Sequence, residues 1–191
     1  MSAASIQLRA LLAEKFPGLA TRLNETPAVS QPVWPVELST LDADWPAGLA
    51  KGALTEVVCA GINFGSAGLI HALLICAAQE NQIVGVIDGS DSLDVTQFEQ
   101  SVLSRLFWVR CRSVPEALKA ADLMLRDSNF SLVMLDLKLN PESQLRKIPA
   151  ATWYRLQRLI EKTSTVFVIF TPCLLVKAIR QRVILRGASF V

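Results

Sequence analysis

Three stretches of this 191-residue chain carry residue types and spacings that could do nucleotide chemistry. The first is AGINFGSAGLIHALL, residues 60–74, in which Gly61, Gly65 and Gly68 lead into an apolar helical pattern. A glycine-containing turn between a strand and a helix lets backbone N–H groups and the helix N-terminus meet an anion. A working phosphate loop also needs a Lys for the outer phosphates and a Ser/Thr hydroxyl for magnesium. Here Gly65 is followed by Ser66-Ala67 and Gly68 by Leu69-Ile70, and no Lys or Arg occurs between Lys51 and Arg105. The second stretch is LVMLD, residues 132–136, whose Asp136 has the place of a metal-binding carboxylate at a strand end. The third is DGSDSLD, residues 88–94, where a carboxylate that orients the attacking water would be expected. With no cation in its loop, Gly61, Gly65, Ser66 and Gly68 read as a degenerate nucleotide loop and Asp136 as a vestigial residue. The chain is therefore expected to be no enzyme and to need no cofactor, weak nucleotide binding through the glycine turn being the remaining enzyme-like alternative.

Other chemistries find less support. His71 is the only histidine and lies within LIHALLICAA, a setting for a packed helix residue. Cys59, Cys76, Cys111 and Cys173 are widely spaced without a CxxC pair, which argues against zinc and for buried reduced thiols. No run of 18 apolar residues is present, so no membrane span is expected. The first residues carry Arg9, Glu14 and Lys15 within their apolar pattern, unlike a signal peptide. A cytoplasmic globular protein is the expectation.

Charge is unevenly placed. Residues 1–142 hold 10 Lys/Arg against 16 Asp/Glu, whereas residues 143–191 hold 9 Lys/Arg against Glu161 alone. A basic C-terminal part points to a polyanion or an acidic partner, with a solvated basic face as the plain alternative.

The elements that would position these residues follow from periodicity. Residues 1–23 contain a short helix pattern with Ile6, Leu8, Leu11 and Leu12 on one face, and residues 24–37 read as a proline-containing linker. Such a helix cannot bury its stripe alone and is expected to dock on the core or on another molecule. Residues 38–191 alternate apolar runs with helical patterns. Strands are predicted at 55–59, 84–88, 107–110, 132–136 and 166–171, with an edge strand near 183–185; helices are predicted at 67–79, 95–105, 114–126 and 150–162. Near-continuous apolar strands between helices imply a mainly parallel sheet covered on both faces, a doubly wound α/β domain.

The order of these segments resembles the core of RecA recombinases, over roughly residues 5–185. LSTLDADWPAGLAKGALTEVVCAG resembles the entry to that core, AAQENQIVGVIDGSDSLD its second strand, LVMLD its Walker B strand and VFVIFTPCL the strand after it. Ser90 occupies the position of the family's catalytic Glu, and Phe170-Thr171-Pro172 that of its glutamine sensor. Within this group, WPAGLAKGALTEVV is most similar to the opening of the ImuA proteins and of the related division inhibitor SulA. The ImuA resemblance implies an accessory factor of SOS-induced translesion synthesis, acting beside an ImuB-like polymerase-related protein and an error-prone polymerase. The SulA resemblance implies binding to the tubulin-like FtsZ. The N-terminal helix with its linker and the basic C-terminal half favour ImuA. By the same resemblance Ile6, Leu8, Leu11 and Leu12 would anchor a homo-oligomer or RecA. Lys138, Arg146, Lys147, Lys177, Arg180, Arg182 and Arg186, in or near the loops after the fourth and fifth strands, would meet DNA phosphates or a partner. Only Trp153 and Tyr154 lie near them, too few aromatics for base stacking. The ending at RGASFV is abrupt for the family, and any partner contacts of a C-terminal tail would be missing.

Overall fold

The computed structural model describes residues 33–34, 48–59, 66–127, 129–177, 179 and 181–185, and the structural statements below concern these. They fall in one compact unit spanning residues 32–191. Ile6, Leu8, Leu11 and Leu12, expected to anchor a partner, and also Gly61, Gly65, Arg180 and Arg186, lie outside the described residues.

A two-stranded antiparallel ladder joins β1 (Val33–Trp34) to β2 (Leu49–Ala50). The body then runs β3 (Ala53–Cys59), α1 (Ser66–Gln79), β4 (Val84–Asp88), α2 (Gln100–Leu103), β5 (Leu106–Arg110) and α3 (Val114–Arg126). It continues through β6 (Leu132–Asp136), α4 (Glu142–Leu145), α5 (Ala150–Ile160) and β7 (Val166–Thr171) to β8 (Gln181–Leu185). Strands β3 to β8 form one sheet in the order β5-β4-β6-β7-β3-β8, and each pairing is parallel. The chain leaves β3 for the far side of the sheet, returns through β6 and β7, and adds β8 on the other side of β3. This is the doubly wound α/β architecture expected from the pattern of apolar runs.

Alternation along each strand supplies two cores. Val57, Val84, Val86, Leu132, Met134, Val168 and Phe170 face the layer built by α1, where Leu69, Ile70, Leu73, Leu74 and Ala77 are buried. Leu54, Ile87, Val133, Leu135, Phe167 and Ile169 face the opposite layer, filled by Ala117, Ala121 and Leu125 of α3 and by Trp153, Leu156 and Ile160 of α5. Strands buried on both faces need apolar side chains in both directions, hence their continuous runs.

The start of α3 carries a reciprocal cap. Glu116 N donates to Ser113 Oγ at 3.4 Å, while Arg112 N donates to Glu116 Oε2 at 2.8 Å, and Pro115 sits in the first turn where no N–H is missed. The helix expected over residues 95–105 is reduced to the four residues of α2. Asp94 diverts the chain: its Oδ1 accepts from Thr96 N at 2.9 Å and from Thr96 Oγ1 at 2.6 Å, a local turn that competes with helix hydrogen bonding. Gly52 turns the chain into β3 at φ +65°, and a Cβ there would stand 2.9 Å from Thr163 O.

Candidate functional site

Ligands of doubly wound sheets bind beyond the carboxyl ends of the strands. At that end a cavity of about 390 Å³ opens between the first turns of α1 and the loops after β4 and β6. Ala67, Gly68 and His71 line one wall, Phe98 another, and Asp136 and Lys138 the floor. His71 stacks on Phe98 with ring centroids 5.0 Å apart, a packing role that also shapes this wall.

Asp136 ends β6 and is 6% exposed. Its Oδ2 lies 3.3 Å from Lys138 Nζ, and its Oδ1 accepts from Lys138 N at 3.1 Å. Burial pushes the Asp136 carboxyl above the ordinary carboxylate range, and the Lys138 ammonium opposes that rise. Cys59, buried at the end of β3, has its thiol pushed up to about 11, by burial first and then by the Asp136 charge. The phosphate-type turn has no cation of its own, but the fold delivers one from the loop after β6.

The carboxylate at the end of β4 has a different task. Asp88 is fully buried and stands directly across from Asp136 in the β4–β6 register. Its Oδ1 accepts from Ser90 N at 3.2 Å, and its Oδ2 from Ser92 N and Leu93 N at 2.8 Å each. Ser90 Oγ donates to Asn140 Oδ1 at 3.3 Å, and Asn140 Nδ2 donates to Gly89 O at 2.9 Å. Gly89 is required there, because a Cβ would fall 2.5 Å from Asn140 Oδ1 and 2.8 Å from Asp136 O. These contacts weld the loops after β4 and β6 together.

The carboxylates at this end of the sheet are engaged within the protein. Both Asp136 oxygens are engaged by Lys138, the Asp88 oxygens by backbone N–H groups, and Asp94 by Thr96. Among the described residues no group of three or more His, Cys, Asp or Glu side chains is arranged to hold a metal ion. Ser66 is the first residue of α1, and Gly68 in its first turn lines the cavity.

A second polar cluster, absent from the sequence reading, lies under the loop after β7. Glu56 is fully buried in the middle of β3. Its Oε1 accepts from Leu175 N at 2.9 Å, Val176 N at 3.1 Å and Thr171 Oγ1 at 3.2 Å. Its Oε2 accepts from Arg182 Nε at 2.7 Å, and Arg182 Nη2 also donates to Val176 O at 2.6 Å. The signal for this cluster was a single carboxylate inside the buried strand TEVVC, since an interior charge must be paired.

The basic residues singled out from the sequence thus take separate roles. Lys138 and Arg182 are bound to internal carboxylates. Arg146 pairs with Glu142 one turn earlier, its Nε 2.7 Å from Oε1, and this guanidinium holds the Glu142 carboxyl below the usual range. Lys147 and Lys177 are exposed, and Lys147 borders an apolar groove with Val114, Leu118 and Ile148. No described helix is long and apolar enough to cross a membrane.

No family model matches the chain, and no curated protein matches it. Among solved structures it is similar to one described as the RadB recombinase, with 17% sequence identity and a TM-score of 0.48. That match covers 65% of this chain and 63% of the other, so the similarity spans less than two thirds of either.

Proposed function

We propose that this chain is a non-catalytic RecA-like core that works as a binding module in the SOS response, supporting translesion synthesis in the manner of ImuA. The observation that carries the non-catalytic part is the Asp136–Lys138 pair: the carboxylate placed to hold a metal is held by an ammonium of the same loop, at 3.3 Å. The turn that should cradle phosphates has no Lys of its own, and Ser90, at the position of the family's catalytic Glu, hydrogen-bonds to Asn140. The doubly wound parallel sheet supports the RecA-like part, and the GALTE opening at residues 52–56 supports the ImuA part. On this reading the chain binds an ImuB-like partner without nucleotide, and the exposed Lys147 and Lys177 add contacts to DNA phosphates or to an acidic partner surface.

Co-elution of the purified chain with an ImuB-like protein, in the presence and absence of ATP and magnesium, tests this. Equal complex formation in both conditions is expected. Magnesium-dependent ATP turnover by the pure chain would overturn the non-catalytic reading, and inhibition of FtsZ assembly without ImuB-like binding would move the function to that of SulA.

A further inference from the structure

Resting on the non-catalytic reading, we infer that Lys138 is a built-in cation that takes magnesium's place beside Asp136 and thereby closes the cleft to metal and to phosphate at once. Three observations lead there. Asp136 is nearly buried and faces Asp88 across the β4–β6 register, so its charge needs a nearby counter-charge. Asp88 has its own three backbone donors, which leaves Lys138 as the side-chain cation bonded to Asp136. The Lys138 side chain is only 17% exposed, and Lys138 lines the same cavity as Ala67 and Gly68 of the first turn of α1.

Neutralisation works in both directions. While paired, Asp136 has little attraction left for a divalent cation, and Lys138 has little left for an anion at the start of α1. Each member therefore masks the other, and removing either one exposes a site of opposite sign. Lys138→Met leaves a carboxylate in a polar cleft, open to a divalent ion. Asp136→Asn leaves an ammonium beside a helix N-terminus, the two features that together favour a phosphate group.

This reciprocity is testable with the full chain. Manganese binding is measured by electron paramagnetic resonance, and inorganic phosphate binding by equilibrium dialysis, for the natural chain, Lys138→Met, Asp136→Asn and the double variant. Lys138→Met is expected to bind manganese about tenfold or more tightly than the natural chain, and Asp136→Asn to gain phosphate binding by a similar factor. The double variant gains neither. Lys138→Arg keeps the charge and behaves as the natural chain, and near-ultraviolet circular dichroism identifies folded variants. A gain in either folded variant supports the masking. Unchanged affinities in both variants, or a natural chain that already binds either ion as tightly as the variants do, overturn it. ATP turnover and ImuB-like binding are read separately, so failure here is distinct from failure of the proposed function.

Discussion

Glu56 and Arg182 stand opposite one another in the β3–β8 register, and Arg182 Nε donates to the fully buried Glu56 Oε2 at 2.7 Å. The pair spans the last strand crossing of the chain and carries with it the loop after β7, whose Leu175 and Val176 amides end on Glu56 Oε1. Arg182→Ala would leave a buried carboxylate without its cation, and breaking such a pair from one side costs about 3–5 kcal/mol. Urea unfolding is expected to show a loss of that size. A loss under about 1 kcal/mol, the range of surface pairs, would mean that Glu56 is not buried as described.

A second ion-pair cluster fixes α3 to α5. Asp122 Oδ1 lies 2.9 Å from Arg155 Nη2 and Asp122 Oδ2 lies 3.0 Å from Arg126 Nε. Burial acts to raise the Asp122 carboxyl, but the two guanidinium groups outweigh it and hold the carboxyl below its ordinary value. A carboxylate depressed in the folded state adds stability above its unfolded pKa, near 4, and loses that contribution as pH falls through the lower folded value. Asp122→Asn should therefore cost about 0.5–1 kcal/mol at pH 7, because both arginines are largely exposed, and progressively less as the pH falls below about 4. Urea midpoints of both proteins across this range give the comparison. A gap that stays constant with pH would refute the assignment.

Much of the sheet is legible from the chain itself. The bounds of β4, β6 and β7 coincide with apolar runs, since strands covered on both faces admit few polar residues. The α3 bounds are equally plain, because Ser113, Pro115 and Glu116 announce its start. The cleft is harder to read. A turn's missing lysine can be seen in a sequence, but the return of Lys138 to Asp136 depends on how the chain folds back after β6. The Glu56–Arg182 pair joins residues 126 positions apart, and only strand order brings them together. Residues 95–99 failed as a helix because a short side chain, Asp94, captured the backbone locally, a competition that apolar periodicity does not register.

Cys59 offers a probe of the cleft that needs no ligand. Its thiol is pushed from 9.0 to about 11, so at pH 8 the thiolate fraction is about 100-fold smaller than in the unfolded chain. Alkylation by iodoacetamide, followed residue by residue with mass spectrometry, should be slowed at Cys59 by at least that factor on folding. Asp136→Asn removes one of the charges that raise this thiol and should speed the reaction, whereas Lys138→Met removes a charge that lowers it and should slow the reaction further. Unchanged rates in both folded variants, or slowing by Asp136→Asn together with speeding by Lys138→Met, would show that the Asp136–Lys138 pair does not act on Cys59 in this way.

The division of the basic residues into committed and exposed groups leads to a separable outcome for nucleic acid. Each phosphate contact releases counterions, so the slope of log affinity against log salt falls by about 1 when one contacting cation is removed. Lys147 and Lys177 are exposed, and neither ammonium is in an ion pair among the described residues. Lys138 and Arg182 are held by Asp136 and Glu56. If the module binds DNA through its phosphates, Lys147→Ala and Lys177→Ala should each reduce the slope by about 1 on any sequence. Lys138→Met, which removes a cation held by Asp136, should leave the slope unchanged. Fluorescence anisotropy with a labelled oligonucleotide over a salt series distinguishes these cases. Affinity independent of salt would remove DNA phosphates from the proposal and leave the two lysines to an acidic protein surface. A slope lowered as much by Lys138→Met as by Lys147→Ala would contradict the commitment of Lys138 to the cleft.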